Sequence, residues 1–286
     1  MLDVEVDPKI EKPKIAPTPW ALDKLPPFPV VATRLMHVLA NENAGINEVG
    51  RVIAAEPVFA TRVLQMANSP LFALQRQVRT IAHAITLLGL QRIKAVTMTR
   101  AMGDFVAPAL KIEALKKCWQ NSLVGAMLAE KLAKSCQLDV DLAYLAALLR
   151  DIGRLALMVK YPGPYVNLLA VSAEGPFDVM ATERDLFDID HCEAGSWLLA
   201  HMQFPEVLCQ VAGRHHETPT GHFGILQLVR VADLMAASLG FGVLADIPGP
   251  EWIEVLAQLP ESSRANFRHG PAVLKTELHT KIQAWK

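Results

Sequence analysis

The 286-residue sequence predicts an all-α protein. Its apolar residues recur three and four positions apart rather than two, which is the period of one face of a helix. Alanine and leucine dominate these stripes, with little alternation of β-branched residues. Residues that start and stop helices fall between the stripes.

Residues 1–24 mix proline with charge and read as a surface tail. Ordered structure is expected from Leu25-Pro-Pro-Phe-Pro29, where the prolines fix φ and delay the first helix. Val31, Leu35, Val38 and Leu39 form that helix's stripe. Asn47 reads as the cap of a second helix, and Pro57 as the first residue of a third that Asn68-Ser69-Pro70 breaks. Thr80 caps a helix over Ile81–Leu88 that Gly89 ends, and another runs from Leu90 to Val106, before Pro108. The second half opens with a long helix near 112–135, then one helix over 139–159, then a turn marked by proline and glycine at 161–164. Asp190 caps His191–His201, Pro205 starts a helix that runs into His215, and 223–239 is the last strongly periodic segment before Pro248-Gly-Pro250. No segment reads as a convincing strand or a fixed-period repeat. Two helical subdomains are expected, 25–108 and 109–240, meeting in the 107–111 region, with a C-terminal helical extension at 241–286.

Lys and Arg number 28 against 29 Asp and Glu, a net charge of −1, which excludes a strongly basic nucleic-acid scaffold as the identity of the whole chain. A nucleic-acid partner is therefore disfavoured. With 51% hydrophobic and 20% charged residues the chain has enough apolar material for a substantial core and is not a disordered one. The four cysteines (Cys118, Cys136, Cys192, Cys209) form no CxxC pair and read as buried thiols in a reducing compartment. The N-terminus is charged from its third residue and has no secretory pattern. The most apolar stretch, 143–159, is interrupted by Arg150, Asp151 and Arg154, which a bilayer span would not tolerate. A cytoplasmic location without a membrane partner is expected.

The chemistry-bearing residues lie in the second half: Asn121 in CWQNSL, Arg150-Asp151 in ALLRDIGRLAL, His191 in DIDHCEAGSWLL, His215-His216 in VAGRHHE and Asp233 in RVADLMA. In the first half, LPPFPVVATRLMHVL, EPVFATRVLQMANSPLF and IAHAITLLGLQRIKAV stand in the same order as the opening of a known domain. Together these stretches resemble the HDOD group, the HD-related output domains of the HD phosphohydrolase superfamily, over roughly 25–240. Several dispersed matches in order are more specific than any single motif. The resemblance implies an HD-domain/phosphodiesterase-like helical fold with an N-terminal helical subdomain.

It also implies what the site once held. An active member of the superfamily binds a divalent cation with a His on one helix, an adjacent His-Asp pair on the next and an Asp further on; two-metal members add histidines between them. The cation lowers the pKa of a bound water and neutralises phosphate oxygens. By this resemblance Asp151, His191, His215, His216 and Asp233 match ligand positions, Asp233 on a short stretch. The first family histidine falls at Asn121, and the histidine of the pair falls at Arg150. An amide is a poor substitute for imidazole, and a guanidinium has no lone pair to donate. Two unit charges at ~4 Å interact by roughly 4 kcal/mol at an effective dielectric of 20, so even half of that reduces cation occupancy more than tenfold. A degenerate HD site is expected, with no metal, no cofactor and no phosphohydrolase activity.

Two readings of Arg150 stand side by side. Either it replaces the metal, pairing with Asp151 or Asp233, or it points to solvent while Asp151 makes a helix-start or inter-helix hydrogen bond, since neighbours on a helix diverge by ~100°. His191, His215 and His216 are either a remnant of ligation, able with Asp151 and Asp233 to hold a stray cation, or capping and packing groups, which is the default. His37, His83, His201, His222, His269 and His279 show no partner spacing. Cys192 next to His191 is not expected to form a nucleophile pair, because adjacent helix residues do not face each other. The segment 80–96 superficially suggests a helix-turn-helix but reads as core packing; the basic stretch 75–79 reads as a solvated turn, and 242–249 lacks a phosphate-loop context.

The expected function is a non-catalytic regulatory module of bacterial signal transduction. It would bind a signalling protein or a small ligand between its helical parts, with Leu71-Phe72 and the Trp252 region as candidate contact surfaces. The alternative is a metal-dependent phosphohydrolase that acts on a nucleotide or cyclic nucleotide with a reduced ligand set.

Overall fold

Four helix starts carry the side-chain caps that their sequences call for. Thr80 accepts from the His83 N–H, Asp139 from Asp141 and Leu142, Asp178 from Ala181, and Asp190 from Glu193. The computed structural model describes residues 17–39, 45–69, 74–171, 177–218, 221–244, 249–267 and 269–283. The protein is all-α, and among the described residues there is no strand. The helices are α1 (Val30–Leu39), α2 (Ile46–Ala54), α3 (Pro57–Ala67), α4 (Ile81–Leu88), α5 (Leu90–Val106), α6 (Glu113–Cys136), α7 (Val140–Leu149) and α8 (Ile152–Lys160). There follow α9 (Pro162–Val171), α10 (Val179–Phe187), α11 (His191–His201), α12 (Glu206–Arg214), α13 (Ile225–Ala236), α14 (Trp252–Ala257), α15 (Glu261–Arg264) and α16 (Gly270–Gln283).

The structure departs from the sequence reading at three helix boundaries. The second helix starts at Ile46 with Gly45 at its cap, so Asn47 lies inside the first turn. The single helix expected over 139–159 is two, because the chain leaves helical geometry at Asp151 (φ −97°, ψ 20°). The turn expected at 161–164 is the beginning of α9, whose two prolines sit in its first turn, where no intrahelical N–H is lost. The Leu71-Phe72 contact surface lies outside the described residues. At the other proposed surface Trp252 is half-buried and the neighbouring Ile253 is exposed.

Helix α6 is the axis of the fold. From Asn121 to Ala129 every residue is buried, as expected of a helix surrounded on all sides. It packs on α7 and α13, with α15 and α16 against its other side, and α5 bridges from the first half onto α7 and α8. One contiguous core includes Leu35 and Ile53 from the first half and Leu128, Leu148 and Leu228 from the second. Helices α8 and α11 cross at glycine: a Cβ on Gly153 would lie 2.1 Å from the His191 carbonyl oxygen and 2.5 Å from the Gly195 nitrogen. That close approach sets the head of α11, and with it His191, against the head of α8. No helix among the described residues is long and apolar enough to cross a membrane.

Candidate functional site

The break between α7 and α8 settles where Arg150 and Asp151 point. Because the backbone is not helical there, two consecutive side chains reach the same cluster instead of diverging. Arg150 is 1% exposed, so the solvent-facing alternative is not what the structure adopts. Its Nη2 donates to Asp233 Oδ1 at 2.8 Å and to the Asn121 Oδ1, Nη1 donates to the Ala147 carbonyl at 2.7 Å, and Nε lies 3.2 Å from Asp151 Oδ2. Gly125 on α6 makes room for it: a Cβ there would meet Nη1 at 2.5 Å. Asn121 turns its Nδ2 to Asp233 Oδ1 (3.3 Å) and to the Phe241 carbonyl (3.0 Å), in the π turn that extends α13.

Asp151 begins α8 but makes no capping bond with its side chain. It is held instead between two guanidiniums, with Arg154 Nε 3.0 Å from Oδ1. Burial opposes its ionisation, yet Arg150 and Arg154 outweigh this and keep its pKa well below the usual carboxylate value. For Asp233 burial also opposes ionisation, and Arg150 again lowers the pKa.

The histidines gather on the other side of Asp151. His191, fully buried, sets its Nδ1 2.5 Å from Glu183 Oε2 and its Nε2 3.0 Å from both Arg154 Nη2 and His216 Nε2. The carboxylate fixes Nδ1 as the donor and leaves Nε2 as the acceptor. Burial, and then Arg154, lower the His191 pKa; His216 is exposed as a residue, and the partial desolvation of its ring together with the neighbouring His215 and His191 lowers its pKa as well. His215 closes α12, with Nδ1 3.0 Å from the Ala212 carbonyl oxygen. Its buried Nε2 has no hydrogen-bond partner among the described residues and lies 3.6 Å from Asp151 Oδ1, too far for a hydrogen bond. Cys192 Sγ is 3.9 Å from His215 Nδ1, so the thiol meets a histidine other than its sequence neighbour. Burial pushes its pKa up, which keeps it protonated.

All seven residues singled out from the sequence converge here. The sequence reading missed Glu183, Arg154 as a site residue, and Tyr165. Glu183 is 0% exposed and accepts from the Tyr165 hydroxyl (2.5 Å), the His191 backbone N–H (2.9 Å) and His191 Nδ1. Burial opposes its ionisation, but His191, Arg154 and the Tyr165 hydroxyl together outweigh it and hold its pKa at about 2. Arg154 had a legible signal in its spacing of three from Asp151, whereas Glu183 depends on how α10 packs against α11.

A divalent cation is the group that an HD-type fold implies, and the donors at the Asn121, Arg150, Asp151 and Asp233 position do not fit one. The guanidinium already occupies the space between the two carboxylates, and the Asn121 oxygen is spent on Arg150. Beside it, His191, Cys192, His215 and His216 present ligand-type atoms within 4.8 Å of one another, but the His191 lone pair there takes the Arg154 guanidinium.

A family model for the HDOD domain matches residues 25–218. The chain belongs to the HDOD family. Asp233 lies beyond the matched residues, yet the fold returns it to Arg150. An HDOD domain protein with unknown function from Geobacter sulfurreducens is 23% identical, with 91% of this chain and 90% of that one covered and a TM-score of 0.69. A Marinobacter aquaeolei protein whose name proposes a role in signal transduction is 22% identical over 91% of this chain and 59% of that one, with a TM-score of 0.71. A Shewanella amazonensis protein whose name proposes a phosphohydrolase is 22% identical over 92% and 94%, with a TM-score of 0.65. At these identities the likeness establishes the HDOD helical fold. An uncharacterized protein of Treponema pallidum is 20% identical over 200 residues, 69% of this chain but 39% of that protein, so the HDOD chain spans well under half of the curated relative it matches.

Proposed function

We propose that this HDOD protein is a non-catalytic regulatory module of signal transduction, which acts by binding a protein partner or a small ligand. The observation that carries this reading is the Arg150 guanidinium, enclosed and in ion pairs with both Asp151 and Asp233. A fixed positive charge there does by hydrogen bonding what a cation would do by coordination: it holds α6, α8 and α13 together. It offers no exchangeable water for nucleophilic attack. The signal-transduction name of the Marinobacter neighbour is compatible with this role.

A second reading, a phosphohydrolase acting on a nucleotide or cyclic nucleotide with a reduced ligand set, draws on His191, His215 and His216 standing together beside Asp151. Metal analysis of the purified protein, followed by a nucleotide and phosphodiester screen with added manganese, separates the two. The regulatory reading expects no stoichiometric metal and no turnover. Turnover that disappears in Asp151→Ala overturns it.

A further inference from the structure

The regulatory reading leaves the ligand's chemistry open, and the cavity above the site narrows it. The cavity holds about 530 Å³, within the range of small-molecule sites, and its walls include Phe177, Met180, Val243 and Leu244. An apolar body therefore fits its upper part. The polar floor decides what the other end of the ligand carries.

Donors are scarce on that floor. Arg154 is the cation among the described lining residues, and its nitrogens are committed to Asp151, Tyr165 and His191. The Asn121 amide is committed to Asp233 and the Phe241 carbonyl. Acceptors, by contrast, are open. Asp233 uses Oδ1 for Arg150 and Asn121; its Oδ2 takes no hydrogen bond from a described residue, and the side chain is 28% exposed. Asp178, exposed at the edge, uses Oδ1 to cap α10. Among the described lining residues the fixed charges are one guanidinium (Arg154) against three carboxylates (Asp151, Asp178, Asp233), a net of −2.

We propose that this cavity takes a small organic cation, an ammonium group on an apolar or aromatic body, with the charged end on Asp233 and not a phosphate ester in its place. A phosphate would enter a negative field in which the lining guanidinium is already paired with Asp151, whereas an ammonium supplies a donor to Asp233 Oδ2, which takes none from a described residue. The proposal rests on the regulatory reading, since it assigns the ligand class of a pocket taken to be non-catalytic.

The test uses the full chain with a chelator present and three probes that share one ring: phenethylamine, phenylpropionate and phenyl phosphate. Binding is measured by calorimetry and by ligand-observed NMR. Phenethylamine is expected to bind at least ~10-fold tighter than either anion, a difference of about 1.4 kcal/mol. The affinity is expected to fall with added salt, by a further ~10-fold in Asp233→Asn, and by less in Asp178→Asn, where asparagine still caps the helix. If Asp233→Asn does not fold, the Asp178→Asn and salt dependences carry the test. Equal or tighter binding of an anion overturns the proposal and leaves the regulatory reading in place. Amine binding that neither substitution nor salt alters, or no amine binding at millimolar concentration, overturns it as well. Metal-dependent turnover of a phosphoester is read separately and sinks the regulatory reading whatever the probes do.

Discussion

Replacing Arg150 by methionine keeps most of the side-chain volume and removes the charge and five donors. At 3.2 Å from Asp151 and 2.8 Å from Asp233, each ion pair carries a gross attraction of roughly 5–6 kcal/mol at an effective dielectric of 20. The net loss is smaller. Asp151 keeps Arg154 at 3.0 Å, and Asp233, 28% exposed, is partly screened by solvent. Removing one partner of a buried pair costs 3–5 kcal/mol, and these two compensations put Arg150→Met at the lower end, about 3 kcal/mol. That corresponds to a drop of roughly 6–12 °C in Tm, read by scanning calorimetry with circular dichroism in parallel. Arg150→Lys keeps the charge but cannot reach Asn121, Asp233 and Ala147 together, so it falls between. In the Arg150→Met/Asp233→Asn double variant the orphaned carboxylate is gone, and at least ~1 kcal/mol of the loss returns. A cost below ~1 kcal/mol for Arg150→Met, or strict additivity in the double variant, refutes the idea that this guanidinium ties the site together.

Other substitutions probe the same architecture. Gly153→Ala places a methyl 2.1 Å from a backbone oxygen and is expected to prevent α8 and α11 from closing. Gly125→Ala presses first on the Arg150 guanidinium and costs ~1–3 kcal/mol, so chemical denaturation ranks Gly153→Ala well below it in stability. Glu183→Ala strands the Tyr165 hydroxyl, the His191 N–H and the His191 Nδ1–H in the interior, a loss of at least ~3 kcal/mol, and frees the imidazole tautomer, visible in the ¹⁵N shifts of His191. Stability falls on acidification in two stages. His191 has its folded pKa lowered from the ordinary 6.5, so the unfolded chain takes up the proton first and stability is lost as pH drops below about 6.5. Glu183, at about 2 folded against an ordinary 4.5, loses its contribution as pH falls through that window, and Asp151 and Asp233, also depressed, act in the same direction. Denaturant midpoints at stepped pH check both stages, and a midpoint that rises on acidification contradicts the assignment.

Much of this protein was legible in the sequence because the signals are local. Apolar spacing, the Thr80 and Asp190 caps and the prolines at helix heads are properties of short stretches, and they are enough to determine an all-α chain and most of its helix boundaries. The residue types at 121, 150, 151, 191, 215, 216 and 233 likewise decide, before any folding, that the cluster carries a guanidinium and an amide among its carboxylates and imidazoles. Tertiary structure decided the rest. Whether Arg150 faced solvent or the carboxylates depended on a break between α7 and α8 that no breaker residue marks, since Leu149, Arg150 and Asp151 all tolerate helix. The ion pairs of Arg150 with Asp151 and Asp233 form at that break, and the second joins side chains far apart in the sequence. Glu183 and Tyr165 were invisible for the same reason: a buried carboxylate is recognisable by the donors around it, and those donors come from α9 and α11, brought together by packing. Sequence determines the chemistry each side chain brings, while the crossing of the helices determines which charges meet with water excluded, and that meeting sets their pairing and protonation.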